Sequence, residues 1–305
     1  MRRGLALLLL LLVSIAGSAG SAQRFRSGVD VVRVDALVTE GGRAVTGLKV
    51  EDFQLRDNGV LQEIDSVAVD EAPISMLLVL DTSNSVEGPT LDHLKQAAIA
   101  AVDALSPNDR AAVMTFADAV TLRADWSAAT AATRTAIAAA RAGGSTSLYD
   151  ASYAALTLQD SLPGRRSYVL LFSDGGDTAS WLPASAALER ARRSDAVVYV
   201  VTRRAPRPDV RLEYRAGIEL WTQPSRPASD RPAMVELAAA TGGHVFVVQR
   251  ADELRAAFAA VVSQFRSRYL LTYRPRGVES AGWHAVDVTL TSSRATVTAR
   301  RGYAK

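Results

Sequence analysis

Four apolar runs limit what this chain can become: "ISMLLVL" (74–80), "RAAVMTF" (110–116), "RSYVLLFS" (166–173) and "DAVVYVVT" (195–202). Each has the length of a strand and lacks the alternation of a sheet with one wet face, so each reads as a strand covered on both sides. Helical patterns separate them. Leu91, Leu94, Ala98, Ala101, Val102 and Leu105 make one apolar stripe after the first run. A short third strand, "AVTLRADW", precedes a helix expected over 127–142 and stopped by Gly143-Gly144. Further helices are expected from Leu148 to Gln159, over "SAALERARRS", from Ala233 to Ala240 and from Asp252 to Phe265, with "GHVFVV" as a late strand. Strands alternating with helices in this way predict an α/β fold: a doubly wound, mostly parallel, Rossmann-like sheet with helices on both faces.

The two ends read differently. Val29, Val31 or Val32, Val34, Ala36 and Val38 recur at near period two, and "DFQLRDNGVLQEIDSVAVD" reads as two strands turning at Asn58-Gly59. After Phe265, "RYLLTYRPR", "WHAVDVTLTS" and "ATVTARRGY" alternate again, with Val286, Val288 and Leu290 expected on one face and His284, Asp287 and Thr289 on the other. Each terminal piece is too small to bury a sheet alone. The expected organisation is therefore a leader over 1–22, a β segment over 23–72, the α/β domain over 73–266, and a β segment over 267–305 that pairs with 23–72 in a small β-sandwich-like domain. The proline-rich stretch from Arg203 to Asp230 reads as a long surface excursion, with Arg203, Arg204 and Arg207 most simply solvated and an acidic partner as the alternative.

"MRRG", the apolar "LALLLLLLVSIAG" and "SAGSA" have the order of an export signal cut after Ala22. The apolar stretch is shorter than the roughly 18–20 residues of a spanning helix. Export to the periplasm or the exterior is expected, with no membrane span once the leader is gone. Cysteine is absent, which excludes disulfides, a lipid-carrying Cys and thiolate metal sites. The net charge is +3 with Arg2 and Arg3 inside the leader, so charge gives no case for nucleic acid as a partner.

Ligands of doubly wound sheets bind beyond the carboxyl ends of the strands. Asp81 ends the first buried run and is followed by Thr82, Ser83, Asn84 and Ser85; Asp174 follows the third; "GGSTSLYDA" leads Thr146 into a helix between them. Taken singly, these residues suit turns and helix caps. Jointly, three loops could deliver hydroxyls and carboxylates to one place. His93 and His284 have no partner at ligand spacing, and His244 reads as a packing or surface residue.

"DTSNS", "GGSTSLYDA" and "FSDGGD", in this order and spacing, resemble the von Willebrand factor type A domain family, whose motif forms a metal ion-dependent adhesion site (MIDAS). "ELAAATGGHVFVV" is similar to the family's last helix-strand unit. The resemblance covers about Ile74 to Phe265. The flanking segments look like those of exported bacterial proteins that carry this domain between β segments.

The resemblance implies that Ser83, Ser85 and Thr146 supply hydroxyl ligands and that Asp81 and Asp174 hold metal-bound waters. Ser145 is a rival to Thr146. The implied cofactor is a divalent cation, Mg²⁺ first and Mn²⁺ or Ca²⁺ as alternatives. The implied partner is a protein offering an Asp or Glu carboxylate to the ion. Hard oxygen donors suit these metals, and neutral hydroxyls leave the ion's charge open to an incoming acid.

The function expected is binding or adhesion, not catalysis. One alternative is a metal-dependent hydrolase or phosphoryl-transfer enzyme. Phosphatase-type sites need a second acid two residues after the first, where this chain has Ser83, and no Gly-x-Ser-x-Gly elbow is present. The other alternative is a domain whose metal is purely structural.

Overall fold

The computed structural model describes residues 31–69, 73–127, 131–162, 166–174, 176–203, 214–215, 218–219, 231–292 and 294–305. The expected leader, and most of the excursion expected between Arg203 and Asp230, lie outside the described residues.

In chain order the elements are β1 (Val32–Glu40), β2 (Arg43–Ala44), β3 (Phe53–Asp57), β4 (Val60–Gln62), β5 (Ile64–Val69), β6 (Ile74–Asp81), α1 (Pro89–Asp103), β7 (Arg110–Phe116) and β8 (Val120–Ser127). Then follow α2 (Ala131–Ala138), α3 (Leu148–Asp160), β9 (Arg166–Ser173), α4 (Ala184–Arg193), β10 (Val197–Arg203), the short pair β11 (Tyr214–Arg215) and β12 (Ile218–Glu219), and α5 (Arg231–Ala240). The chain closes with β13 (Val245–Val248), α6 (Leu254–Arg266), β14 (Tyr269–Tyr273), β15 (Trp283–Leu290), β16 (Thr296–Ala299) and β17 (Gly302–Ala304).

The central sheet has six strands in the order β13-β10-β9-β6-β7-β8. All run parallel except β8, which is antiparallel to β7. Every residue of β6 is buried, because helices cover both faces. Met76, Leu78 and Leu80 pack with Leu94 and Val102 of α1 and Phe258 and Phe265 of α6. Leu77 and Val79 join Ala151 and Ala155 of α3, Ala187 of α4 and Leu237 of α5. Burying each such Leu or Val side chain contributes roughly 1.5–3 kcal/mol. The chain leaves β6 toward β7 and β8 and then crosses back to β9, β10 and β13. The strand order therefore reverses between β6 and β9, the topological switch point where ligands of such sheets bind.

The helix expected over 127–142 is shorter than the sequence pattern suggests. Ser127 belongs to β8, held in register opposite Ala111, and α2 ends at Ala138, where Ala140 N–H turns back to the Ile137 carbonyl.

Strands from the two chain ends pair with each other. β1 is antiparallel to β14, with Val34 opposite Leu271, and β15 is antiparallel to β3, with Val288 opposite Leu55. Two sheets result, one ordered β16-β1-β14-β5 with β2 on β1, the other β17-β15-β3-β4. Their apolar residues, among them Val34, Leu55, Tyr269, Tyr273, Val286 and Tyr303, form one cluster. Asn58 and Gly59 turn β3 into β4 with φ of 47° and 81°, the positive pair that a two-residue hairpin requires.

His284 corrects the sequence reading. It lies on the inner face with Val286 and Val288, as the two-residue period demands, and not with Asp287 and Thr289. There its Nδ1 lies 2.9 Å from Asp57 Oδ1, and the hydroxyls of Tyr273 and Tyr303 each donate to Asp57 Oδ2 at 2.9 Å. A buried carboxylate is tolerable because it is surrounded by donors.

The β sheets attach at the amino-terminal edge of the central sheet. Arg268, fully buried, donates to the Tyr199 hydroxyl at 3.3 Å and the Asp35 carbonyl at 2.7 Å, while Arg166 at the start of β9 donates to Asp35 Oδ1 at 2.6 Å. The carboxyl edge, with Asp81 and Asp174, is the opposite one.

Candidate functional site

Three loops meet at that carboxyl edge, stitched by backbone hydrogen bonds. After Asp81, Thr82 N–H and its hydroxyl both donate to the Phe116 carbonyl, at 2.8 and 3.0 Å, fixing the exit of β6 against β7. Ser83 N–H turns back onto Asp81 Oδ1 at 2.9 Å, the local bond that makes Asp a turn former. A single 3₁₀ turn, Asn84–Val86, follows. Asn84 N–H reaches the Gly144 carbonyl at 3.0 Å, and Gly143 N–H reaches the Thr82 carbonyl at 2.9 Å, which locks the first loop to the second. Thr178 and Ala179 N–H both donate to the Thr146 carbonyl, at 2.8 and 3.0 Å, and Thr146 N–H donates to Thr178 Oγ1 at 2.8 Å, which locks the second to the third.

Four of the five residues singled out in the sequence share one polar chain. Asp81 receives Ser83 N–H on one oxygen and the Ser173 hydroxyl on the other, at 2.8 Å. The Ser83 and Ser85 hydroxyls lie 2.9 Å apart, and Ser85 donates to Asp174 Oδ1 at 2.7 Å. Thr146 is brought into the same loop cluster through its backbone and is buried; among the described residues its hydroxyl is not bonded into this chain. Ser145 is exposed, and its N–H is taken by Asp118 Oδ1 at 2.7 Å.

Burial raises Asp81 from 3.8 to about 6; bonds from Ser83 and Ser173 pull against that rise, and the Asp174 charge adds to it. The two carboxylates have one cationic neighbour among the described pairs: Arg203 Nη2 lies 3.0 Å from Asp174 Oδ2. Arg203 therefore ends β10 in an ion pair and is not the solvated loop residue expected from sequence.

Several supporting residues escaped the sequence reading. Ser173 could have been noticed, since it immediately precedes Asp174. Asp118 and Thr178 carried no signal, and nothing in the sequence tied Arg203 to Asp174, because these roles depend on which loops the sheet brings together. Gly144 has φ +81°, and a Cβ there would overlap the Asp118 carboxylate. Asp150 accepts from the backbone N–H of Trp181 and Leu182, each at 2.9 Å, so the third loop is held while the Trp181 side chain stands 93% exposed.

Among the described residues, no group of three or more His, Cys, Asp or Glu side chains could hold a metal ion. A cation here would rest on hydroxyls, and their spacing can be tested. Two oxygens on adjacent corners of an Mg²⁺ octahedron with bonds of ~2.0–2.1 Å stand about 2.9 Å apart. The Ser83 and Ser85 hydroxyls have that separation. On that spacing, which is also that of their hydrogen bond, these two hydroxyls fit adjacent corners of such an ion's shell.

The sequence profile of the von Willebrand factor type A domain family matches residues 76–176. No curated protein matches the chain by sequence. A von Willebrand factor type A structure from Catenulispora acidiphila has 14% identity and a TM-score of 0.52, covering 88% of this chain and 75% of its own. Proximal thread matrix protein 1 from the mussel byssus, in a structure with a zinc-occupied MIDAS motif, has 18% identity and a TM-score of 0.51. That match covers 68% of this chain and 49% of the mussel chain, so this protein spans about half the length of that relative. Residues 76–176 are thus similar in sequence to the von Willebrand factor type A domain family, and the described chain shares the α/β fold of these structures.

Proposed function

We propose that this protein is an exported binding module that docks a protein partner through a divalent ion, Mg²⁺ in the first instance, at the cluster of Asp81, Ser83, Ser85, Thr146 and Asp174. In this reading residues 73–266 are the binding unit, and 23–72 with 267–305 are its β support. Domains of this family point to adhesion or protein interaction, and no helix among the described residues is long and apolar enough to cross a membrane. The observation that carries the reading is the Ser83–Ser85 hydroxyl pair, 2.9 Å apart and tied to Asp174 from a second loop.

The bound ion would supply an electrophilic point for a partner's carboxylate. Ser83, Ser85 and Thr146 would hold it through neutral oxygens, leaving its charge largely unspent. Asp81 and Asp174 would orient the hydroxyls and keep the ion without closing its coordination. Trp181, exposed on a backbone that Asp150 fixes, offers an aromatic side chain to solvent on the loop that clamps Thr146.

The test has two parts. Calorimetry should show one Mg²⁺ or Mn²⁺ site in the wild type and none in a Ser83→Ala, Ser85→Ala double mutant of unchanged fold. Capture from the exported fraction should then retain an interacting protein in Mg²⁺ and release it in EDTA. Metal binding that survives the double mutation would move the site elsewhere.

A further inference from the structure

Both carboxylate oxygens of Asp174 have a partner. The side chain is 6% exposed, with Oδ1 taken by the Ser85 hydroxyl at 2.7 Å and Oδ2 by Arg203 at 3.0 Å. Arg203 reaches it from the neighbouring strand, where Thr202 of β10 stands opposite Ser173 of β9, so the two side chains leave adjacent positions on the same edge of the sheet. The Arg203 side chain is 27% exposed, sheltered enough for its charge to act on the site and open enough to leave it. The described ion pairs give the second carboxylate of the site, Asp81, no cation of its own; its partners are Ser83 N–H and the Ser173 hydroxyl.

We infer that Arg203 is a resident cation that competes with the divalent ion for Asp174 and so sets the metal affinity of this site. The inference rests on the metal reading proposed above. The guanidinium neutralises Asp174 without any bound ion, holding the carboxylate in place against the Ser85 hydroxyl. An ion that draws on Asp174 meets a positive charge already on that carboxylate. Like charges a few ångströms apart in a partly buried site oppose each other strongly. The ion therefore binds weakly alone. A partner's carboxylate, which both the ion and the guanidinium attract, relieves that repulsion, so metal and acidic partner bind more tightly together than either does singly.

The probe is the metal alone. Mg²⁺ and Mn²⁺ would be titrated calorimetrically into the full mature chain as wild type, Arg203→Ala, Arg203→Gln and Arg203→Lys, with thermal melts confirming the fold. Removal of the charge in Arg203→Ala and Arg203→Gln should tighten metal binding about tenfold or more, and Arg203→Lys, which keeps the charge, should stay near wild type. Without metal, Arg203→Ala should melt lower than wild type because Asp174 loses its partner, and added Mg²⁺ should restore more of that stability than it adds to wild type. If wild type binds metal and the Ala and Gln variants bind it equally or more weakly, Arg203 merely positions Asp174 and the inference is wrong. If neither wild type nor either charge-removing variant binds metal, the metal reading itself falls and takes the inference with it.

Discussion

The Ser85 hydroxyl donates to Asp174 Oδ1 at 2.7 Å across 89 positions of sequence, and with the bond from Ser173 to Asp81 it ties the first motif directly to the third. Ser85 is exposed, so its bond contributes little to global stability. Ser85→Ala should change unfolding free energy by no more than ~1 kcal/mol. Its effect on Mg²⁺ should be much larger, a loss of about tenfold or more, because one neutral ligand and the orientation of Asp174 go together. Paired denaturation and calorimetry separate the two. A turn-only role for Ser85 requires metal binding to be unaffected.

Asp81 gives the protein a pH dependence whose sign is fixed by its burial. Its folded value of about 6 lies above the ordinary 3.8, so the folded state holds this proton more tightly than the unfolded chain does. The stability from that proton is complete below about pH 3.8 and is lost as pH rises through about 6. At about 1.36 kcal/mol per unit, the whole effect is on the order of 3 kcal/mol. Asp81→Asn mimics the protonated carboxyl. Without metal it should be more stable than wild type at pH 7.5 and lose that advantage by pH 4, by urea denaturation at both pH values. Parallel behaviour of the two proteins would mean that Asp81 is not desolvated as described.

Gly144 sits between the first two loops with φ +81° and no room for a side chain. Gly144→Ala should cost ~1–3 kcal/mol through the left-handed backbone and the collision with Asp118. The same shift moves the Gly144 carbonyl that Asn84 uses and the Ser145 N–H that Asp118 holds. Metal affinity should fall along with stability. Asp118→Ala in the same background should recover part of the stability by making space.

In the β sheets, Asp57 binds His284, Tyr273 and Tyr303 from three C-terminal strands. Asp57→Ala should destabilise by ~3–5 kcal/mol, since three buried polar groups lose a partner at once. Deletion of 267–305 should go further and leave amides of 32–62 without exchange protection. Persisting protection of 32–40 in the truncated chain would show that β1 does not depend on β14.

The parts of this molecule that sequence exposes are those with local causes. Continuous burial made β6, β7, β9 and β10 legible, and the Asn58-Gly59 turn announced its hairpin. The loop residues of the three motifs could be picked out because strand ends in such sheets are where ligands gather. Non-local choices were not legible. Nothing in "VVYVVTR" says that its terminal Arg will lie beside Asp174 and not in water, because that depends on β10 aligning next to β9. Asp118 stabilises a loop that follows it by more than twenty positions, and no short pattern encodes the meeting. His284 follows the two-residue period into the core with Val286 and Val288 because Asp57 is there to receive it, and Ser127, at the start of the expected helix, is claimed by the β8 ladder.

The pairing of β1 with β14 and of β3 with β15 carries a cost in time as well as in length of chain. A polypeptide is made from its amino end, so β1 and β3 emerge first, and although β2 and β4 can pair with them early, one edge of each must wait for a partner more than 200 positions away. Contacts of such separation form slowly and leave sticky intermediates. The central sheet, whose strands find neighbours much nearer in sequence, can close earlier and bring the two waiting ends to the same edge. Its assembly thus acts as the splint on which the remainder is set, and a lesion in β6 or β9 should be felt first in the yield of folded protein.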